Sequence, residues 1–181
     1  MTLPLFGTVP LAADFAVAEF SCGRFALDDY LIRHAWHAQR ANTARTFVAL
    51  RGDRVVGYYS LAAASIEPDQ APPRVLQGTG RYPIPLTLLA WLAVDQSEQG
   101  AGLGKALLKD AMKRFLVAHE QVASRALLVH AADDTVRAFY QAYGFEPARF
   151  NPLHLYLLPK DMARALRSAQ GLSAAEPCDN G

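Results

Sequence analysis

The spacing of apolar and polar residues predicts a helix and a hairpin in the first part of the chain. Between residues 27 and 41 the apolar positions recur three and four apart, which is the spacing of one helix face. Residues 46–50 and 55–64 are apolar runs separated by the turn pair Gly52-Asp53, so they predict a β-hairpin. Residues 67–85 hold five of the eleven prolines, which disrupt regular pairing, and predict a long loop that is either functional or a plain surface excursion.

The second part of the chain alternates strand-like runs with helix-like segments. The runs that have the length of buried strands are residues 88–94, 126–130 and 153–158. Residues 105–116 repeat at helical spacing. A second helix is predicted from a cap at Asp133 or Asp134 to about Tyr143, where Gly144 ends it.

This order of elements predicts a mixed α/β sheet with helices on both faces. The crossover from 88–94 to 126–130 is long enough to make those two strands a parallel pair. The 181 residues are 51% hydrophobic, which suits one buried core and excludes disorder of the whole chain. We therefore expect a single domain over residues 1–160, followed by a short helix and a frayed tail over residues 161–181.

The composition disfavours several classes of protein. No run reaches the ~18 apolar residues of a membrane span, and a start that carries Asp14 and Glu19 but no basic residue is unlike a secretory signal. The net charge of +1 excludes the global basic field of many nucleic-acid binders, so an RNA partner would need a local patch. Cys22 and Cys178 form no Cys-x-x-Cys pair and the histidines are scattered, so we expect no metal, no disulfide framework and a reducing cytoplasm.

The most informative segment is a glycine loop between a predicted strand and a predicted helix, Gln99-Gly100-Ala101-Gly102-Leu103-Gly104-Lys105. Its glycines let the backbone approach a ligand, and its N–H groups meet at a helix N-terminus, which suits a pyrophosphate. It is no Walker A loop, because Gln99 and Ala106 stand where that loop needs glycine and Ser or Thr. It is no Rossmann fingerprint either, because Lys105 stands in the place of the third glycine.

The spacing does fit Gln-x-x-Gly-x-Gly, and it resembles the pyrophosphate loop of the GCN5-related N-acetyltransferases (GNAT), which bind acetyl-coenzyme A (acetyl-CoA). Other segments between Phe20 and Leu158 are similar to one GNAT subfamily, the toxins of type II toxin–antitoxin modules that acetylate aminoacyl-tRNA. These segments include Phe20-Ser21-Cys22-Gly23, Arg81-Tyr82-Pro83-Ile84-Pro85, Leu92-Ala93-Val94-Asp95 and Ala138-Phe139-Tyr140. The resemblance implies a mostly antiparallel sheet with a central parallel pair, acetyl-CoA as co-substrate, charged tRNA as acceptor, a ribbon–helix–helix antitoxin and a homodimer.

The resemblance also implies an active site. Tyr140 matches the catalytic tyrosine of the family, and the backbone N–H of Val94 is the expected polariser of the thioester carbonyl. The residues expected to bind acetyl-CoA are Leu92, Ala93, Val94, Gln99, Gly100, Ala101, Gly102, Leu103, Gly104, Lys105 and Tyr143. His130, at the end of a predicted strand, is either a structural residue or a proton acceptor.

Acetyl transfer to an α-amino group needs little base but some help for the departing thiolate. An α-amine titrates near ~8, so a large fraction of it is neutral near pH ~7. A phenol near ~10 that faces a thiol near ~8.5 makes full proton donation uphill. Tyr140 is therefore expected to hydrogen-bond the leaving sulfur in the transition state and to complete proton transfer late.

A local RNA surface rests on arginines near the predicted site. The candidates are Arg24, Arg33, Arg40, Arg45 and Arg81, with solvated helix faces as the alternative explanation. Two positions depart from the toxin pattern, because Trp91 stands where these toxins often carry Arg, and Arg24 stands where Asn is common. Backbone contacts survive such a change, but an RNA contact through an arginine at position 91 would not.

These observations predict an enzyme that N-acetylates the amino acid of charged tRNA and so halts translation. The first alternative is a GNAT enzyme that acts on a small amine or a protein N-terminus, which the low net charge favours slightly. The second is a coenzyme-binding module without catalysis, against which Tyr140 and the glycine loop argue.

Overall fold

The structure is a computed structural model that describes residues 4–171, so most of the predicted tail lies outside the described residues. Within this range seven strands form one sheet, in the order β1-β2-β3-β4-β5-β7-β6. The strands are β1 (Leu5–Pro10), β2 (Arg45–Arg51), β3 (Arg54–Ile66), β4 (Ile84–Val94), β5 (Leu127–His130), β6 (Glu146–Pro147) and β7 (His154–Leu157). Only β4 and β5 pair in parallel among these strands, which confirms the mostly antiparallel sheet with one central parallel pair.

Helices cover both faces of this sheet, as predicted. They are α1 (Phe25–Asp29), a π-helical turn (Tyr30–His34), α2 (Ala35–Arg40), α3 (Pro73–Leu76), a 3₁₀ turn (Gln96–Glu98), α4 (Leu103–Gln121), α5 (Asp134–Gln141) and α6 (Pro159–Gly171). The main core lies under α4, α5 and α6, where Phe115, Tyr140 and Met162 are buried. The other face is covered by the α1–α2 segment through Leu31 and by α3 through Val75. None of the helices described in residues 4–171 is long and apolar enough to cross a membrane.

Three elements differ from the sequence predictions. The edge strand β1 was not predicted, because Leu5 and Phe6 are exposed and no alternating apolar face marks it. Strand β4 begins at Ile84 rather than at 88, since Pro85 pairs opposite Ser65 and its carbonyl accepts a hydrogen bond from Arg125 N at 2.8 Å. The predicted proline loop therefore ends early, and it contains the short helix α3.

The helix after residue 158 is longer than predicted. Helix α6 has 13 residues, and Met162 is fully buried in the main core. Helix α5 ends at Gln141, two residues before the predicted end, and Asp133 caps its start by accepting from Val136 N at 2.8 Å. The boundary of the domain at residue 160 stays a prediction.

The central strand β4 is paired differently along its length. It pairs with β5 from Thr87 to Leu89, and beyond Leu89 it pairs only with β3. Opposite β3, Leu89 faces Leu61 and Trp91 faces Ser60, so Ala90 is an extra residue, a β-bulge. We call the space between the end of β4 and the end of β5 the strand gap.

The bulge changes which backbone groups of β4 face β5. Thr87 N donates to Ala126 O at 3.1 Å on the β5 side, whereas Asp95 N donates to Val56 O at 2.9 Å on the β3 side. In a regular strand the N–H groups of alternate residues point to the same side, so Thr87 and Asp95 should point the same way. They point to opposite sides because the extra residue Ala90 reverses the alternation. The N–H groups of Leu92 and Val94 therefore point into the strand gap.

Candidate functional site

The glycine loop leads directly from the end of β4 into α4. Gly100 and Gly102 have φ angles of +80° and +84°, a conformation that L side chains rarely adopt. A Cβ at either position would meet nothing within 4 Å, so the backbone conformation, rather than crowding, requires glycine there. Gly102 is the N-cap of the 19-residue helix α4, and the first N–H groups of α4 are available at its positive end.

The segment between β4 and the glycine loop is held by the buried carboxylate of Asp95. Asp95 accepts from Ser21 N at 3.0 Å, from Ser97 Oγ at 2.6 Å and from the Arg54 guanidinium at 2.8 Å. Burial alone would raise the pKa of Asp95, but the hydrogen bonds from Ser97 and Ser21 and the charge of Arg54 hold this pKa below its ordinary value. The carboxylate is therefore ionised near pH ~7.

Two further contacts hold the loop in place. The side-chain amide of Gln99 donates to Val94 O and to Cys22 O, both at 2.9 Å. Arg51 forms a two-pronged ion pair with Glu98 at 2.5 and 2.8 Å, and this contact lowers the pKa of Glu98. The side chain of Gln99 thus fixes the loop to the end of β4, and its predicted part in binding acetyl-CoA stays a prediction.

The end of β4 offers a donor to the strand gap. The carbonyl of Val94 is taken by Gln99, and its N–H points into the strand gap. Burial, followed by a hydrogen bond to Asp28, raises the pKa of the nearby Cys22 thiol to about 11. Cys22 is therefore protonated near neutral pH and is a poor nucleophile, which favours direct transfer to an acceptor over a covalent acetyl-enzyme.

Helix α5 carries Tyr140, and Tyr143 lies in the turn directly after the helix. Tyr140 is 6% exposed and lies edge-on to Phe139 and Phe145, with ring centroids 5.3 Å apart in both pairs. Burial raises the pKa of Tyr140 well above that of an ordinary phenol. Its hydroxyl is therefore a protonated donor at physiological pH, and full proton release is harder than for an exposed tyrosine.

A cavity of about 630 Å³ lies beside the end of the glycine loop, between α4, the turn after α5, and α6. Tyr143, which is partly exposed, lines it together with three lysines, Lys105, Lys109 and Lys160. Arg74 borders the same cavity and pairs with Asp161 at 2.6 Å. A cavity with cationic walls beside a helix N-terminus suits the phosphates of acetyl-CoA.

Two histidines meet at the far side of the strand gap. His130 ends β5 and stacks on His154 of β7, with ring centroids 4.0 Å apart. Burial and the neighbouring His154 lower the pKa of His130, so its ring is neutral near pH ~7. In the described part of the chain no three His, Cys, Asp or Glu side chains come together as a metal site.

The structure spreads the five predicted RNA-binding arginines along the molecule. Arg24 pairs with Asp133 at 2.7 Å at the loop end of the sheet, and Arg33 pairs with Asp29 at 3.1 Å on its own helix. Arg45 starts β2 and Arg81 precedes β4, both away from the glycine loop, while Arg40 ends α2. Their role in RNA binding stays a prediction.

Trp91, the departure from the toxin pattern, packs against the α1–α2 segment. Its ring stacks on Tyr30 of the π-helical turn, with centroids 4.5 Å apart and the planes 17° apart. An aromatic pair of this kind stabilises the contact between β4 and the helix. Trp91 thus contributes packing at a position where an arginine would contribute charge.

The family of the chain follows from comparison with known proteins. Residues 42–147, more than half of the chain, match the acetyltransferase (GNAT) domain. The chain belongs to the GNAT family. This confirms the resemblance to the family, and it makes the chain an acetyltransferase.

Relatives of this GNAT chain include characterised toxins. It is 47% identical over 150 residues to the tRNA-acetylating toxin of Mycobacterium tuberculosis (strain ATCC 25618 / H37Rv), which covers 83% of this chain and 89% of that protein. The solved structure of AtaT complexed with acetyl-methionyl-tRNAfMet has a TM-score of 0.82 and 28% identity, and covers 90% of this chain and 99% of that one. A mutant AtaT bound to the C-terminus of the antitoxin AtaR and to acetyl-CoA has a TM-score of 0.76 and 28% identity, covering 91% and 99%.

The residues that hold the GNAT loop in place were not predicted from the sequence. Asp95, Arg54 and the Arg51–Glu98 pair do not approach acetyl-CoA in the predicted scheme, yet they fix the segment from which the loop starts. The sequence did contain one signal for Asp95. An acidic residue directly after a strand is typical of an N-cap, and Asp95 caps the 3₁₀ turn by accepting from Ser97 N. The arginine partners come from the β2–β3 hairpin, so the sequence alone could not assign them.

Proposed function

We propose that this GNAT enzyme transfers the acetyl group of acetyl-CoA to the α-amino group of the amino acid on charged tRNA, and so blocks translation as the toxin of a type II toxin–antitoxin module. The observation that carries the proposal is the anchored glycine loop at the end of β4, beside the strand gap into which the Val94 N–H points. The substrate class is supported by the 47% identity to a tRNA-acetylating toxin and by the fold of AtaT in its acetyl-methionyl-tRNA complex.

Different residues of the chain are assigned to different parts of acetyl-CoA. Acetyl-CoA supplies an acetyl group activated as a thioester. The glycine loop, the start of α4 and Lys105 are assigned to the phosphates, and the N–H of Val94 is assigned to the carbonyl oxygen, on which negative charge develops. The amine forms the new C–N bond, the C–S bond breaks, and the proton lost by the amine leaves to solvent.

Tyr140 is assigned to the departing sulfur. Because burial raises the pKa of its hydroxyl, it acts mainly as a hydrogen-bond donor while negative charge grows on the sulfur. The departing thiolate takes its proton late, from the hydroxyl of Tyr140, which then recovers a proton from solvent. The neutral His130 ring is the alternative acceptor for the proton of the amine.

Three parts of the proposal concern the partners and place of the enzyme. We infer a ribbon–helix–helix antitoxin, a homodimer and action in the cytoplasm, where charged tRNA is found. The antitoxin is supported by a solved AtaT bound to the C-terminus of AtaR and by an AtaT–AtaR complex bound to DNA. The ribbon–helix–helix class and the dimer rest on the subfamily resemblance.

A labelled-acetyl assay tests the proposed substrate. The protein is incubated with [¹⁴C]acetyl-CoA and a mixed pool of charged tRNA, and mild base then releases the amino acids for mass spectrometry. We expect label in one or a few N-acetyl amino acids and none with the same pool after deacylation. Label that appears only on added small amines or on protein N-termini would replace the tRNA proposal by the first alternative.

A further inference from the structure

Three aromatic side chains are far more exposed than the rest. Phe150, Tyr82 and Phe25 are 86%, 83% and 80% exposed. An apolar ring that is left in water contributes nothing to the core, so such rings often mark a binding surface when they cluster at a site. Two of the three, Phe25 and Phe150, lie on segments that meet the end of β5.

Phe25 is the first residue of α1, next to the turn between β5 and α5. The preceding residue, Arg24, pairs with Asp133 at 2.7 Å, and Asp133 is the N-cap of α5, the helix that carries Tyr140. This ion pair ties the start of α1 across the strand gap to the start of α5. Phe25 therefore lies at the rim of the proposed active site.

Phe150 lies in the turn between β6 and β7, on the other side of the end of β5. Leu153 O of this turn accepts from Ala131 N at 2.7 Å, and Ala131 directly follows β5. The turn also closes on itself, because Ala148 N donates to His154 O at 2.8 Å. Two residues, Ala131 and Asp133, thus hold the segments that carry the two exposed phenylalanines.

Planar and basic groups stand with these rings around the end of β5. The stacked pair of His130 and His154 ends the paired strands β5 and β7, and the exposed Arg149 precedes Phe150. These rings are separated by polar and cationic side chains, so they do not form the contiguous apolar patch that a protein partner would cover. They match the pattern that binds unpaired nucleotides, in which bases stack on aromatic rings and cations follow the phosphates.

We infer that Phe25 and Phe150 stack on unpaired nucleotides at the 3′ end of charged tRNA. The inference rests on the proposed function, because the amino acid is esterified to the last nucleotide of that unpaired end. The 3′ end of the tRNA must cross the rim of the strand gap to deliver the amine into it. The two rings stand on the two segments that contact Ala131 and Asp133, just after β5, so they would position the ester rather than take part in the chemistry.

Alanine variants separate this positioning role from catalysis. Phe25→Ala and Phe150→Ala should each raise the KM for charged tRNA by about tenfold and leave kcat nearly unchanged, the usual size of one base–aromatic stack. Phe25→Tyr and Phe150→Tyr keep the rings and should restore the KM. Tyr82→Ala is the matched control, since Tyr82 is equally exposed but precedes β4 at the opposite end of the strand.

A binding cycle with uncharged tRNA tests the inference without any acetylation. Fluorescence anisotropy compares intact tRNA with tRNA that lacks its three 3′-terminal nucleotides, for the wild type and for the Phe25→Ala/Phe150→Ala variant. The wild type should lose affinity on trimming by about tenfold or more, and the variant should lose almost none.

Three results would overturn the inference. They are an equal loss on trimming for both proteins, an unchanged KM in both alanine variants, and variants impaired only in binding the antitoxin. A wild-type protein that fails to acetylate any charged tRNA would instead contradict the proposed function, because the trimming cycle is measured independently.

Discussion

The two ends of strand β4 differ in pairing, in chemistry and in the cavity beside them. The first half, to Leu89, lies between β3 and β5, and an apolar groove of about 890 Å³ opens where the second half of α4 faces it. The second half, from Trp91 to Val94, pairs with β3 alone and leads into the anchored glycine loop, beside a cavity of about 630 Å³. The bulge at Ala90 divides the two.

The smaller of the two cavities is the one whose walls suit acetyl-CoA. Much of the wall of the larger groove is apolar, with Leu61, Leu86 and Phe115 among its residues. The smaller cavity has lysines, a helix N-terminus and nearby backbone N–H groups, which are the groups that phosphates and a developing oxyanion need. We therefore propose that the first half of β4 stabilises the fold and that the second half takes part in the chemistry.

The largest expected effect is a loss of stability from the first half. Leu89→Ala removes a side chain that is 3% exposed in the main core, and should lower the free energy of unfolding by about 3 kcal/mol. Leu92→Ala, on the same face but partly exposed in the second half, should cost about 1 kcal/mol. Urea denaturation measures both, and equal losses would contradict the division of β4.

Gly102→Asp should weaken acetyl-CoA binding by about 100-fold, because it places a negative charge at the start of α4. Gly78→Asp is the matched control, since Gly78 has a φ of +77° and open space around its Cβ, but lies in the loop between α3 and β4. Both variants therefore carry the same backbone strain. Calorimetry with acetyl-CoA should separate them, and equal affinities for the two would remove the loop from the binding site.

Tyr140→Phe should lower turnover by about 100-fold and leave the acetyl-CoA dissociation constant within a few-fold of wild type. The hydroxyl is lost but the ring is kept, so the packing against Phe139 and Phe145 survives. Tyr156→Phe, equally 6% exposed but on the opposite face of the sheet, controls for loss of a buried phenol. Single-turnover acetylation with near wild-type rates in Tyr140→Phe would shift the role to His130, Tyr143 or a water.

The smallest effect concerns pH and His130. Burial and His154 lower the pKa of His130, so the unfolded chain binds a proton there more readily than the folded chain. Stability should therefore be complete above the ordinary value of 6.5 and fall as the pH drops through it. Unfolding midpoints from pH ~5 to ~8 should show a flatter dependence in His130→Asn and a partly flattened one in His154→Asn; a slope unchanged in His130→Asn would contradict this assignment.

The sequence predicted what depends on local spacing. The β2–β3 hairpin, the helix of α4, the Asp133 cap and the glycine loop all follow from apolar periodicity or from residues that favour turns and caps. Strand β1 was not predicted because an exposed edge strand has no apolar alternation. The start of β4 was not predicted because the prolines there are typical of a loop.

The support of the site could not be predicted from the sequence. The Arg51–Glu98 and Arg54–Asp95 pairs join residues more than forty positions apart, and only the sheet brings them together. Phe25 and Phe150 lie still farther apart in the sequence, and only the fold brings their segments together beside the residues that follow β5.

Residue-resolved NMR of the amides during titration with acetyl-CoA tests whether the second half of β4 and the glycine loop bind the coenzyme. We expect the largest shifts and the strongest new protection from exchange at the N–H groups of Val94 and of residues 102–105. Residues 87–89, already paired on both sides, should change little. Shifts centred instead on residues 61–64 and 113–119, which line the larger groove, would contradict the assignment of the second half of β4 as the acetyl-CoA site.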